Sequence, residues 1–342
     1  MSRPLQPGKL PPELLAALLT DAGTPDPRVL VGPRVGVDAA VLDFGDRLLV
    51  VTSDPITFAA EEIGWYCVQV NANDLAVMGA TPRWFLATLL LPEGITEEGV
   101  QGIFASLRRA CRELGISLVG GHTEITGGLD RPIVCGHMVG EAERDELVRS
   151  DGARPGDRLL LTKAIPVEAT SILARERRQE LLARGWSAVA LDEAAAVLHD
   201  PGISIVPEAR LAVSLRAATA MHDPTEGGLA TGLRELAGAS GVGLRVYADR
   251  IPVDPRGAAL CAAFGLDPLG AIASGSLLLT SPPERASALL AAYAQEGIRC
   301  AEIGEVVPAT EGLVLSDGGR EREMPVFARD EIARLWSPRA EG

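Results

Sequence analysis

Four aspartates sit in stretches that are otherwise apolar. Asp38 is flanked by Gly36-Val37 and Ala39-Ala40-Val41, and Asp54 follows Leu49-Val50-Val51. Asp74 closes Asn71-Ala72-Asn73-Asp74, and Asp223 lies in Met221-His222-Asp223-Pro224-Thr225-Glu226-Gly227-Gly228. A carboxylate in apolar surroundings is costly unless it is paired or coordinated. Lysine partners are scarce, since Lys9 and Lys163 are the only two in the chain. Each aspartate alone could equally cap a turn or a strand end. Four in one chain shift the balance to hard-cation binding. Mg²⁺ suits such a set: few carboxylates, several waters and phosphate oxygens from a substrate.

Two glycine pairs add anion chemistry. Gly120-Gly121 follows Leu118-Val119 and leads into His122-Thr123-Glu124, while Gly227-Gly228 follows Thr225-Glu226 and opens a helix. Glycine lets backbone N–H groups approach an anion closely, and a helix N-terminus favours phosphate. The bland readings are a plain turn for the first pair and a capping arrangement for the second. His122 and His222 are two of four histidines, and both fall inside these motifs. They are the candidates for substrate contact or proton transfer, with His137 and His199 left as structural. Lys163 ends Leu159-Leu160-Leu161-Thr162, where it could hold a phosphate or be an exposed strand-end lysine.

The elements that must position these groups belong to a 342-residue chain, long enough for two domains. Hydrophobic residues make up 47% and aromatics only 4%, so the core is built from Ala, Val, Leu and Ile. Lys+Arg 32 against Asp+Glu 46 gives a net charge of −14, which repels nucleic acid and anionic membranes. The five cysteines (67, 111, 135, 261 and 300) form no C-x-x-C and read as reduced core thiols of a cytoplasmic protein. There is no P-loop, no GxGxxG after the first strand, no G-x-S-x-G elbow, no leader pattern and no apolar run long enough to span a membrane.

A helix is expected from Pro12 to about Leu19, then a hairpin of Val35–Phe44 and Leu48–Thr52 about Gly45-Asp46-Arg47. Ile63–Met78 reads as a helix stopped by Gly79, Trp84–Leu91 as a buried strand, and Thr96-Glu97-Glu98 as the start of a helix that stops at Gly115. Ile116–Val119 reads as a short strand running into the glycine pair, and Pro132–Val139 as another strand. The turn Arg154-Pro155-Gly156-Asp157 marks the expected boundary between domains 1–153 and 154–336, with 337–342 as a frayed tail. Beyond it, helices are expected at about 167–183, 188–198, 206–217, 227–239 and 283–296. Strands are expected at 158–162, 243–247, 276–280 and 300–306. Alternating strands and helices give a mixed α/β class.

The order of motifs resembles the aminoimidazole ribonucleotide (AIR) synthase superfamily. Gly36-Val37-Asp38-Ala39-Ala40-Val41 resembles its G-D-D-A-A-V element, and Thr52-Ser53-Asp54 its T-T-D element. Asn73-Asp74-Leu75-Ala76-Val77-Met78-Gly79-Ala80-Thr81-Pro82 resembles N-D-[IV]-A-x-x-G-A-x-P, the most specific of the set. Gly120-Gly121-His122-Thr123 resembles G-G-[DEH]-T, and Asp223-Pro224-Thr225-Glu226-Gly227-Gly228 resembles D-x-T-x-G-G. The chain is most similar to the hydrogenase maturation protein E branch.

The resemblance implies an N-terminal α/β domain that forms a β-barrel in a homodimer, and a C-terminal ferredoxin-like α/β domain. It implies ATP and Mg²⁺ as cofactors and phosphoryl transfer to a small-molecule or protein-bound acceptor. Asp38, Asp54, Asp74 and Asp223 would hold metal and phosphates. Gly120, Gly121 and Thr123 would line the nucleotide loop, with Asn73, Thr225, Gly227 and Gly228 nearby. His122, His222 and Lys163 are the catalytic candidates. The branch carries a Pro-Arg-x-Cys tail whose cysteine accepts a carbamoyl group. Here Pro338-Arg339 is followed by Ala340-Glu341-Gly342 and no cysteine comes after Cys300, so that chemistry is not expected in its usual form. The competing expectations are a small-molecule kinase or synthetase resembling thiamine-monophosphate kinase, and a nucleotide-binding partner protein without turnover.

Overall fold

The computed structural model describes residues 9–20 and 26–336. The chain forms two compact units. One comprises Pro25–Gly32 and Asp38–Leu147; the other comprises the chain from Val148 onward together with Pro33–Val37 and the helix α1 (Pro12–Leu19). Local contacts explain why Pro33–Val37 belongs with the C-terminal unit. Arg34 pairs with Asp151. Gly36 has φ +76°, and a Cβ there would lie 2.8 Å from the carbonyl oxygen of Glu235.

The N-terminal unit is a sheet with two helices. Its strands are β1 (Val29–Val31), β2 (Ala40–Asp43), β3 (Leu48–Thr52), β4 (Pro55–Ile56), β5 (Thr81–Pro92), β6 (Ser117–Thr126) and β7 (Ile133–Ala142), with α2 (Ile63–Val77) and α3 (Glu97–Leu114) between them. The order is β1-β2-β3-β7-β5-β6, with β4 also on β7. Only β5 and β6 run parallel, because α3 carries the chain back between them. Every residue of α2 is buried, including Gln69, Asn71, Asn73 and Asp74. This helix therefore lacks the polar stripe of a surface helix, and its polar side chains must find partners inside the unit.

The C-terminal unit has strands β8 (Arg158–Thr162), β9 (Ala220–His222), β10 (Gly243–Tyr247), β11 (Leu278–Ser281), β12 (Cys300–Val307), β13 (Leu313–Asp317) and β14 (Arg320–Glu323). They are ordered β14-β13-β10-β12-β8-β11-β9. The helices are α4 (Val167–Glu176), α5 (Arg178–Ala183), α6 (Ala188–Ala195), α7 (Val206–Ser214), α8 (Gly228–Ser240), α9 (Pro255–Ala263) and α10 (Pro283–Gln295). Leu159, Leu161, Leu229, Leu233, Leu236, Leu244, Val246 and Leu278 form the centre of its aliphatic core.

Two sequence expectations need correction. Asp38 is not inside a strand; β2 begins only at Ala40, so the hairpin is shorter on that side. The segment after Ile116 does not stop at the glycine pair. The strand β6 runs through it to Thr126, held by pairing with β5 from Trp84↔Ser117 to Pro92↔Thr126 with a bulge at Val119. The strands β1, β4, β9, β13 and β14 were not expected, being short or exposed segments whose patterns carry no clear alternation. The tail expected from residue 337 lies outside the described residues.

Candidate functional site

In the N-terminal unit three of the expected acids are tied to the end of β3 or the residues just after it, Asp74 through its side chain and Asp38 and Asp54 through their backbone. Thr52 closes that strand, and its hydroxyl lies 2.8 Å from Asp74 Oδ2 and 3.1 Å from the carbonyl oxygen of Asp38. Asp74 is 3% exposed on a buried helix, so the Thr52 hydroxyl offsets part of its desolvation. Two residues on, Asp54 is fixed through its backbone. Its N–H donates to Asn71 Oδ1 at 3.0 Å, and Asn71 Nδ2 donates to Asp54 O at 3.2 Å and to Cys67 O at 2.8 Å. Gly136 donates its N–H to the same Asp54 carbonyl at 2.9 Å. A Cβ on Gly136 would lie 2.4 Å from Asn71 Nδ2, so the clamp needs glycine there. The contacts fix the backbone around Asp54 and the Asp38 carbonyl, and both residues are half-buried. Asn73 is fully buried beside them in sequence.

Thr52 and Asn71 are the functional-site residues that sequence reasoning did not single out. The signal for Asn71 was present: an amide in a helix that is apolar on every side must be satisfied by something specific.

The other N-terminal candidates stand on β6. Gly120, Gly121, His122 and Thr123 are all exposed. Gly121 has φ +149°, and a Cβ there would lie 2.0 Å from the Ala87 carbonyl oxygen. The close approach of β5 therefore demands glycine, independently of any anion. His122 Nε2 lies 3.1 Å from Glu124 Oε2, with the His122 side chain 64% exposed.

In the C-terminal unit β9 delivers His222 and Asp223, both buried. His222 Nε2 lies 3.0 Å from Glu235 Oε2 on α8, and Lys9 Nζ lies 3.2 Å from the other oxygen. Burial alone would raise the Glu235 carboxyl, but the His222 hydrogen bond and the Lys9 charge bring it down to about 2. Gly227 and Gly228 both have positive φ, +83° and +63°, and a Cβ on Gly228 would lie 2.5 Å from Leu269 O. Thr225 is half-buried and its carbonyl accepts from Gly228 N–H.

The N-terminus of α8, the expected phosphate cradle, already holds a carboxyl group. Asp330 Oδ2 accepts from Gly227 N–H at 2.6 Å, while Oδ1 accepts from Ile332 N–H at 2.9 Å. Glu168 and Glu226 lie close to Asp330. Burial pushes the Asp330 carboxyl up to about 7 and the Glu168 carboxyl up to about 7, and the mutual repulsion of the acids acts in the same direction.

Lys163 is neither exposed nor aimed at an open cleft. Its side chain is 10% exposed, and Nζ lies 2.8 Å from Glu208 Oε1 and bonds the carbonyls of Gly202 and Ser204. Within either unit, no three His, Cys, Asp or Glu side chains among the described residues gather into a group that could hold a metal ion unaided. Burial raises the thiols of Cys67, Cys111, Cys135, Cys261 and Cys300, the last two to about 12. Such thiols are poor nucleophiles.

Residues 36–142 match the family described as AIR synthase related protein, N-terminal domain, and residues 154–315 match its C-terminal domain. The chain belongs to the AIR synthase related proteins. It is 34% identical over 288 residues to the carbamoyl dehydratase HypE of Azotobacter vinelandii, covering 82% of this chain and 81% of that protein. A HypE structure determined in complex with ATP superposes with a TM-score of 0.70 at 28% identity, covering 92% of this chain and 90% of the other. Escherichia coli HypE superposes with a TM-score of 0.73 at 25% identity, covering 94% and 99%. The two-domain AIR-synthase-like fold expected from the motifs is the fold observed. No described helix is long and apolar enough to cross a membrane.

Proposed function

We propose that this protein is an ATP- and Mg²⁺-dependent enzyme of the hydrogenase maturation protein E type, which activates an acceptor oxygen by phosphoryl transfer. The observation that carries this reading is the frame at the end of β3. Thr52 holds Asp74, Asn71 locks the Asp54 backbone, and the hard oxygen donors of Asp38 and Asp54 remain half-exposed beside them. Hard, pre-positioned oxygens fit Mg²⁺ and a phosphorylated nucleotide. The ATP-bound HypE relative and the carbamoyl dehydratase relatives support the same chemistry.

Bound Mg²⁺ would offset charge on the transferred phosphoryl group. The residues of this chain hold the acids rigid, so little reorganisation is left for the reaction. The α8 end fits a phosphate at Gly227 only when Asp330 gives up that N–H. No buried cysteine serves as the acceptor, since burial holds each thiol protonated at neutral pH. In this reading the acceptor is a small molecule or a protein-bound group.

The protein functions as a homodimer in this reading. The ten-residue edge strand β6 is exposed along its length, with Val119 at 55% and Ile125 at 57%. A long exposed edge strand that carries exposed Leu118, Val119 and Ile125 offers unpaired backbone groups to another chain. The −14 charge and the buried Lys163 give no support to a nucleic-acid or membrane partner.

Calorimetry tests the assignment. Asp54→Asn is expected to weaken MgATP binding by about tenfold or more, with the melting temperature little changed. Unchanged affinity overturns it. Product analysis with candidate acceptors, including thiamine monophosphate, separates this reading from the kinase alternative.

A further inference from the structure

A cavity of about 280 Å³ lies in the C-terminal unit, lined by Arg177, Arg184 and Arg334 with Glu180, Phe264 and Leu335 among its walls. Three guanidinium groups against one carboxylate are unusual on a chain of net charge −14. Their neighbours hold them in place. Arg177 lies 4.5 Å from the centre of the Trp336 ring, and Arg184 lies 4.6 Å from that of Phe264. Each also donates to a backbone carbonyl: Arg177 to Leu335, Arg184 to Ala263 and Arg334 to Gly265. Ring stacking and a carbonyl bond fix the plane of a guanidinium and leave its other N–H groups for an oxyanion.

The three are not equally neutralised. Arg184 pairs with Glu180, and Arg334 with Glu331. Among the described residues Arg177 has no carboxylate partner, and its buried Nε has no hydrogen-bond partner. A buried, unanswered N–H on a cation is expensive, and a bidentate oxyanion answers it directly. None of these residues belongs to the β3 frame or to the α8 N-terminus.

We propose that this arginine-lined cavity is a second ligand site, which binds a small molecule through a phosphate or carboxylate group laid against Arg177 and flanked by Arg184 and Arg334. The volume is enough for one oxyanion and a short body. The site is separate from the ATP site proposed above and stands without it.

Calorimetric titration of the full chain at low ionic strength with inorganic phosphate, and in parallel with succinate, tests the proposal and tells the two oxyanions apart. Saturable binding of either is expected, weakened about tenfold or more by Arg177→Gln and by Arg334→Gln. The Arg334 side chain is 44% exposed, so its variant keeps the fold and covers any failure of the Arg177 variant to do so. Asp223→Asn is expected to leave this binding unchanged, and Arg177→Gln to leave MgATP affinity unchanged, which keeps the two sites' failures apart. Lack of saturation by both anions overturns the proposal. So does binding that survives both arginine substitutions, or binding that Asp223→Asn abolishes.

Discussion

Glu168 offers a test of how the C-terminal unit handles buried charge. It sits in the first turn of α4, 3% exposed, near Asp330 and Glu226. Burial lifts its carboxyl from the ordinary 4.5 to about 7. The folded state therefore keeps a proton that the unfolded state has lost, and stability falls as pH rises through that interval. Each pH unit of separation is worth about 1.4 kcal/mol, so the loss totals about 3 kcal/mol and is complete above about pH 7. Below about pH 4.5 both states are protonated and the contribution vanishes. Glu168→Gln keeps the shape and removes the titration. Relative to the parent, the variant should gain stability between about pH 5 and about pH 8, by nearly the full 3 kcal/mol. For a unit of this size that is a relative rise in melting temperature of about 6–10 °C. Differential scanning calorimetry of both proteins across this range measures it. Parallel melting curves, with a constant offset at every pH, would show that Glu168 does not hold its proton and would refute the reasoning.

Other expectations follow from single contacts. Gly121→Ala forces a Cβ onto the Ala87 carbonyl oxygen and should destabilise the N-terminal unit by about 1–3 kcal/mol, read as a lower urea midpoint. Lys163→Met strands the buried Glu208 carboxylate and should cost about 3–5 kcal/mol. Its melting temperature should recover in the double variant with Glu208→Gln, which a lysine needed only for chemistry would not show. If the proposed β6-mediated homodimer forms, Ile125→Lys on the exposed β6 edge should leave a monomer by light scattering where the parent is a dimer, with circular dichroism unchanged; a parent that is monomeric, or a variant that stays dimeric, removes β6 as the contact.

Much of the architecture was legible because its signals are local. The helix α3 starts after Thr96, which accepts from Gly99 N–H, and stops at Gly115 in the left-handed conformation, the start and stop read from the chain. The helices α8 and α10 and the strands β8, β10 and β12 fall within a residue or two of their expected limits. The motif order identified the fold. The site was legible only in outline. Asp38, Asp54 and Asp74 could be nominated as acids in apolar company, but nothing nearby in sequence announced that Thr52 and Asn71 would hold them.

Residue types and short-range spacing thus determined the elements, the family and the list of acids, since caps, periodicity and turn chemistry act over a few positions. Tertiary structure decided which of those groups are already engaged. Only folding brings Glu208 onto Lys163, β5 against Gly121 and Asp330 onto the first amide of α8. Each of these partners is remote along the chain, and burial rather than residue type sets whether a charge there is held, neutralised or left to meet a ligand.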